Sequence, residues 1–207
     1  MKIPFPIPGI SIVSNAGDTS FTDEEITRAF VRFPEHIRRT IAAYSLPAER
    51  RVRSISTMLL LEMLHDMDPL HLLTLDDLRR TEQNKPFFRG FSHSSAHCAP
   101  LAVCVGSQTK QVGIDLERIR PLHLDNYTDY LSRREYASLR ASRDPFRLFY
   151  LLWTRKEAFA KLLGVGVSED FRTFDMLDTT LHVADSYYHC IDLDLAPGYC
   201  CSVVYSE

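Results

Sequence analysis

The stretch DPFRLFYLLWTRKEAFAKLLG, residues 144–164, has both of its ends written into it. Asp144 can accept a hydrogen bond from the first turn. Pro145 suits the first helical position, where its missing N–H would go unpaired in any residue. Gly164 can adopt the left-handed conformation that closes a helix. The body between them is mostly apolar, as in a packed helix rather than a solvated one. The tail that follows alternates instead. YYHCIDLDL (187–195) and GYCCSVVYS (198–206) read as an antiparallel pair of strands around Pro197-Gly198.

The same local signals punctuate the rest of the chain. GISIV (9–13) reads as a strand, and Thr22 with Glu25 is a capping box that opens a helix to about Arg32. Pro34 starts a short helix to about Tyr44. Pro47 starts a longer one through about His65, with Val52, Ile55, Leu59 and Met63 at helical spacing. LDDLRRTEQNKPFF (75–88) reads as a short strand and a loop. LAVCVG (101–106) and QVGIDLE (111–117) read as strands joined in a hairpin by SQTK. Ser132 with Glu135 caps a helix over about 133–141. This order predicts an α+β fold of two similar α/β halves meeting near residue 103, an N-terminal lobe 1–103 and a C-terminal lobe 104–207.

The 207 residues leave room for one large domain or two small ones, and the net charge of −3 gives no general pull toward nucleic acid or anionic membrane. No apolar run is long enough to span a bilayer, and MKIPFPIPGI lacks the apolar core of a signal peptide, so a cytoplasmic protein is expected. The cysteines at 98, 104, 190, 200 and 201 are odd in number and form no C-x-x-C pair. That argues against a disulfide framework and a zinc site, and for buried thiols.

The chemistry-bearing residues fall in four places. In VGIDLERIRP (112–121), Asp115 and Glu117 are two apart, so a strand projects both carboxylates from one face. Like charges that close are costly unless a cation lies between them, and a hard divalent ion is a natural partner. The alternative is an edge strand with a solvated polar face. In WTRKEAFAKLLG (153–164), Trp153, Glu157 and Lys161 stack at helical spacing, with Lys156 beside them. They offer a third carboxylate and a phosphate-binding lysine, or else an ordinary surface ion pair. FSHSS (91–95) places Ser92 and His93 in a loop before a strand, as nucleophile and base, as hydrogen-bond donors to an anion, or as a capped turn with a structural histidine. Lys85-Pro86 presents a point charge from a fixed loop, and ERRVR (49–53) is a basic run that usually marks a solvated helix face. Together these pieces suit a polyphosphate or pyrophosphate substrate with reaction at phosphorus.

Read in order, K-P, S-H-S, G-I-D-L-E and W-T-x-K-E-A-x-x-K resemble the 4′-phosphopantetheinyl transferases, in particular the two-lobed monomeric surfactin-synthetase type. The resemblance runs from about Arg53 to the closing PGYCCSVV. It implies two lobes related by a pseudo-twofold, with coenzyme A in the cleft between them. It implies transfer of the phosphopantetheine arm to a serine of an acyl or peptidyl carrier protein, releasing adenosine 3′,5′-bisphosphate. Asp115, Glu117 and Glu157 are implied as ligands of Mg²⁺, with Mn²⁺ as a substitute. Lys161 is implied near the pyrophosphate with Lys156 beside it, and Glu157 as the base that takes the serine proton, directly or through a water. Ser92 and His93 are implied at the 3′-phosphate region, with Lys85, Pro86 and Arg53 along the adenosine side. Asn84 stands where the family usually has Gly. The rival expectations are another metal-dependent phosphodiesterase using water, and a non-catalytic module that binds carrier proteins.

Overall fold

The computed structural model describes residues 1–16, 21–68, 70, 72–82, 85–166 and 169–207. Asn84 and its neighbour Gln83 therefore lie outside the described residues. The chain divides into two compact units, Met1–Lys110 and Gln111–Glu207. Each is a mixed α/β unit with a four-stranded antiparallel sheet and one long helix packed on it.

The first unit contains β1 (Lys2–Ile3), β2 (Ile10–Ser14), α1 (Asp23–Arg32), α2 (Glu35–Ala42), α3 (Pro47–Met67), β3 (Arg79–Arg80), β4 (Pro86–Phe87), β5 (Ser92–Cys98) and β6 (Leu101–Ser107). Its main sheet runs β1-β2-β6-β5, and β3 and β4 pair separately. Helix α1 starts at the expected capping box, with Thr22 accepting from the Glu25 N–H and Glu25 from the Thr22 N–H. Pro34 is the residue before α2 rather than its first helical residue, because its extended ψ of 147° has not yet entered the helix. Along α3, Val52, Ile55, Leu59 and Met63 all face the core, none more than 1 % exposed, against Val13, Ala102 and Cys104 of the sheet.

The second unit contains β7 (Val112–Arg118), α4 (Arg133–Ala141), α5 (Pro145–Leu163), β8 (Thr180–Val183), β9 (Ser186–Leu193) and β10 (Tyr199–Ser206). Its sheet runs β7-β10-β9-β8. Asp144 accepts from the Arg147 N–H, Pro145 begins α5, and Gly164 closes it at φ 78°. Helix α4 spans the expected 133–141 behind its capping box.

Two expectations are corrected. The strands on either side of SQTK form no hairpin. Both edges of β6 are already paired, to β2 and β5, and among the described residues β7 pairs only with β10. The hairpin in this region joins β5 to β6 instead. The compact units divide after Lys110, in the SQTK link, and residue 103 lies within β6. The second correction is that Ser92 and His93 do not precede a strand; they begin β5. All five cysteines are free thiols, and all but Cys98 are buried.

Candidate active site

The chemistry of the second unit lies in the seam between β7 and α5. Gly113 makes the seam possible. A Cβ added there would stand 2.0 Å from the Ala158 carbonyl oxygen, so only a residue without one lets the helix backbone lie so close to the strand. Asp115 and Glu117 follow on the same strand face at the period of two. They pair in register with Ser202 and Cys200 of β10. From the helix side, Glu157 and Lys161 come down one turn apart. The Lys161 ammonium Nζ lies 2.6 Å from Asp115 Oδ1. Trp153, one turn earlier, is held in an aromatic cluster, stacked on Phe149 at 5.7 Å and edge-on to Tyr127 and Tyr130.

The seam is short of positive charge. Asp115 is 6 % exposed, which removes the solvated-face reading for that carboxylate, and its Oδ2 is buried without a hydrogen-bond partner. Burial, then repulsion by Asp115, pushes the Glu157 carboxyl up to about 7, while Lys161 pulls it down and Glu117 adds to the rise. The Glu117 carboxyl is raised by burial and by Asp115, against the pull of Arg120 and Lys161. Three acids thus share the seam with one inserted ammonium. Among the described residues no three His, Cys, Asp or Glu side chains form a ready metal-holding group. The three acids act on one another electrostatically along the seam, and Lys161 stands on Asp115.

Lys156 is not part of this seam. Its side chain is 1 % exposed, and its ammonium is spent on Glu135 Oε2 at 2.9 Å and on the carbonyls of Phe171 and Phe174. Glu135 in turn accepts from the Ser132 and Met176 N–H groups. Lys156 therefore ties α5 to α4 and to the 169–176 segment, and none of its donors is left for a ligand. A second internal network went unread in the sequence. Arg155 forks onto Asp192, Asp192 Oδ1 accepts from Ser202 Oγ at 2.9 Å, and Ser202 meets Thr154 Oγ1 at 2.9 Å. It fixes α5 against β9 and β10 directly beside Asp115.

The first unit holds a cavity of about 270 Å³ lined by His36, Arg53, Arg80, Pro86, His93 and His97 among others. Three of the expected residues, Arg53, Pro86 and His93, meet there. Arg53 stacks on the Tyr44 ring at 3.6 Å. His93 is 5 % exposed and packs against Phe88 and Phe91; its Nδ1 is buried without a hydrogen-bond partner. Burial, with Lys85 as a second cause, pushes the His93 imidazole down to about 4, so it is neutral at physiological pH. Lys85 sits half-buried beside Pro86, and burial lowers its pKa. Ser92 does not line the cavity, because successive strand residues face opposite ways; Ser95 and His97 line it with His93. Arg80 was missed in the sequence. Its place is set by pairing across to Pro86, which no local pattern announces.

The second unit is thus a two-layer domain, one long helix on an antiparallel sheet with an acidic seam between them. Residues 111–204, nearly the whole of this unit, match the family described as the 4′-phosphopantetheinyl transferase superfamily. The chain is similar to the 4′-phosphopantetheinyl transferase HetI of Nostoc sp., 36 % identical over 84 residues, covering 39 % of this chain and 35 % of the relative. It is similar to the 4′-phosphopantetheinyl transferase Sfp of Bacillus subtilis, 27 % identical over 113 residues and 50 % of each chain. A longer match, to the 4′-phosphopantetheinyl transferase psf-1 of Bacillus pumilus, is 27 % identical over 188 residues, 84 % of this chain and 78 % of the relative. The matched stretch thus spans half or less of the length of HetI and of Sfp. No helix among the described residues is long and apolar enough to cross a membrane.

Proposed function

We propose that this chain transfers the 4′-phosphopantetheine arm of coenzyme A to a serine hydroxyl of an acyl or peptidyl carrier protein, as a cytoplasmic monomer. The serine oxygen forms a bond to the phosphorus that bears the pantetheine arm. The bond from that phosphorus to the bridging pyrophosphate oxygen breaks, and adenosine 3′,5′-bisphosphate leaves. The observation that carries this reading is the convergence of Asp115, Glu117, Glu157 and Lys161 in one seam of a unit that matches the superfamily.

The seam fits a hard divalent cation. Its donors are carboxylate oxygens, they outnumber the ammonium among them, and Asp115 Oδ2 is buried without a partner. Asp115, Glu117 and Glu157 would hold Mg²⁺, or Mn²⁺ in its place. When bound, the ion would offset pyrophosphate charge as a Lewis acid. The chain's own groups do the rest. Glu157 would take the serine proton, directly or through a water. Lys161 supplies a point charge to the pyrophosphate. In the first unit, Ile37, Ile41 and Leu60 offer apolar cover for the adenine, and Arg53, Arg80 and His93 offer donors for phosphate, with Lys85-Pro86 beside them. Lys156 and Ser92 are left out of this set on their placement.

The test is the intact mass of an apo carrier protein after incubation with this protein, coenzyme A and Mg²⁺. A gain of one phosphopantetheine, lost with Glu117→Ala and with a chelator, supports the reading. Release of adenosine 3′,5′-bisphosphate without any carrier would instead mark a phosphodiesterase that uses water.

A further inference from the structure

Lys161 reaches into the acidic seam from the end of α5. Its ammonium is bonded to Asp115 Oδ1 at 2.6 Å, inside the group of acids that the proposed reaction assigns to a cation. The two partners differ in freedom. The Asp115 side chain is 9 % exposed and sits mid-strand, whereas the Lys161 side chain is 33 % exposed. It lies in the last turn of α5, three residues before Gly164 ends the helix. If one of them moves, it is the lysine, whose four-carbon stem can swing outward without breaking a sheet or helix bond. A lysine also suits release better than an arginine, whose planar fork would grip a carboxylate through two bonds. The other charged groups acting on this place are Glu117, Glu157 and Arg120. The acids outnumber the cations there, so the seam attracts a further positive charge, and the ammonium bonded to Asp115 stands in its way.

We infer that Lys161 and a divalent cation compete for Asp115, so that arrival of the cation releases Lys161 from β7 and turns its ammonium toward the substrate pyrophosphate. This rests on the cation reading of the seam. It goes further in making Lys161 a displaceable occupant rather than a fixed phosphate ligand. Cation and coenzyme A then bind in a favourable order. The metal loads first, and the lysine it displaces becomes available to the incoming phosphates.

The experiment measures Mn²⁺ binding by calorimetry on the full chain, without coenzyme A or carrier, for the native protein, Lys161→Gln and Asp115→Asn. A second arm follows the lysine ammonium signal by ¹H–¹⁵N NMR during a Mg²⁺ titration, assigned through its loss in Lys161→Gln. The expected result is about fivefold tighter Mn²⁺ binding by Lys161→Gln, the effect of removing one partly buried ion pair that the metal must otherwise break. The protected ammonium signal should also disappear in step with Mg²⁺ saturation. Equal or weaker Mn²⁺ binding by Lys161→Gln overturns the inference. So does an ammonium signal that stays protected at saturating Mg²⁺, because a gain in affinity alone would then reflect simple repulsion. If neither the native protein nor Lys161→Gln binds Mn²⁺ while both remain folded, the cation reading itself fails and the inference with it. Asp115→Asn separates the cases by losing binding only if the seam is the metal site.

Discussion

Glu135 and Lys156 form a closed ion pair, 2.9 Å apart, with side chains 0 % and 1 % exposed. Each charge is also bonded to backbone: Glu135 to the Ser132 and Met176 N–H groups, Lys156 to the Phe171 and Phe174 carbonyls. The pair is buried but satisfied, so the heavy cost falls on removing one member and stranding the other.

Lys156→Met therefore lowers unfolding stability by about 3–5 kcal/mol, because Glu135 is left in the core without its partner. Adding Glu135→Leu to it recovers much of that loss. Urea unfolding of the three proteins checks this. A small effect of Lys156→Met on stability, with a large one on coenzyme A binding, would return Lys156 to the substrate site.

Gly113→Ala tests the seam from the strand side. The added Cβ meets backbone, at 2.0 Å from the Ala158 carbonyl oxygen and 2.8 Å from the Leu162 nitrogen, so no side chain can step aside. Helix α5 must lift from β7, and Glu157 and Lys161 lift with it. The expected cost is about 1–3 kcal/mol, the usual range for overpacking. Mn²⁺ binding should weaken in the fraction that remains folded. Thermal unfolding alongside calorimetry reads both; unchanged Mn²⁺ affinity would detach the proposed metal site from this contact.

The helix boundaries were legible because capping is local chemistry. Thr22 with Glu25, Ser132 with Glu135, and Asp144 with Gly164 each mark an end within four residues or by a single conformation. Strand partners were not legible, because pairing is decided across the fold. Nothing in SQTK says that β6 is already paired on both edges. Lys156 could have been read better. It follows Leu152 by four residues and precedes Phe159 by three, so it belongs to the buried side of α5 and not to the stripe of Trp153, Glu157 and Lys161. Asp115 and Glu117 could be placed on one face of a strand, and Glu157 in line with Trp153 and Lys161 on a helix, because the strand and helix periods decide faces. Arg80 reached the cavity by pairing across to Pro86, which no spacing encodes, whereas His97 follows from His93 at the strand period of two once β5 is recognised as a strand.

Glu157 makes the fold less stable as the pH rises. Its folded pKa, about 7, lies above the ordinary 4.5. Between those values the folded state binds more protons than the unfolded one, so the stability of the protonated form is fully present below 4.5 and is lost as pH rises through about 7. Glu157→Gln removes that loss. The variant should melt higher than the native protein at pH 8 and lose its margin as the pH falls toward about 5, while carrier modification drops sharply. Melting curves across that range decide it; a margin independent of pH would mean that Glu157 is ionised without penalty.

His93 has the opposite sign. Its folded pKa, about 4, lies below the ordinary 6.5, because burial and then Lys85 disfavour the imidazolium. The unfolded state binds more protons between those values, so stability is present above 6.5 and is lost as the pH falls toward 4. His93→Asn should flatten that acid limb. A phosphate bound in the cavity adds negative charge near the ring and favours the imidazolium, which raises the pKa again. Titration of the His93 ring by NMR should therefore show a neutral imidazole at pH 6 in the free protein and an upward shift with adenosine 3′,5′-bisphosphate. If the shift appears with adenosine as well, the ring is responding to closure of the cavity and not to phosphate. If neither ligand moves it, the anion is held elsewhere and the cavity loses its proposed role.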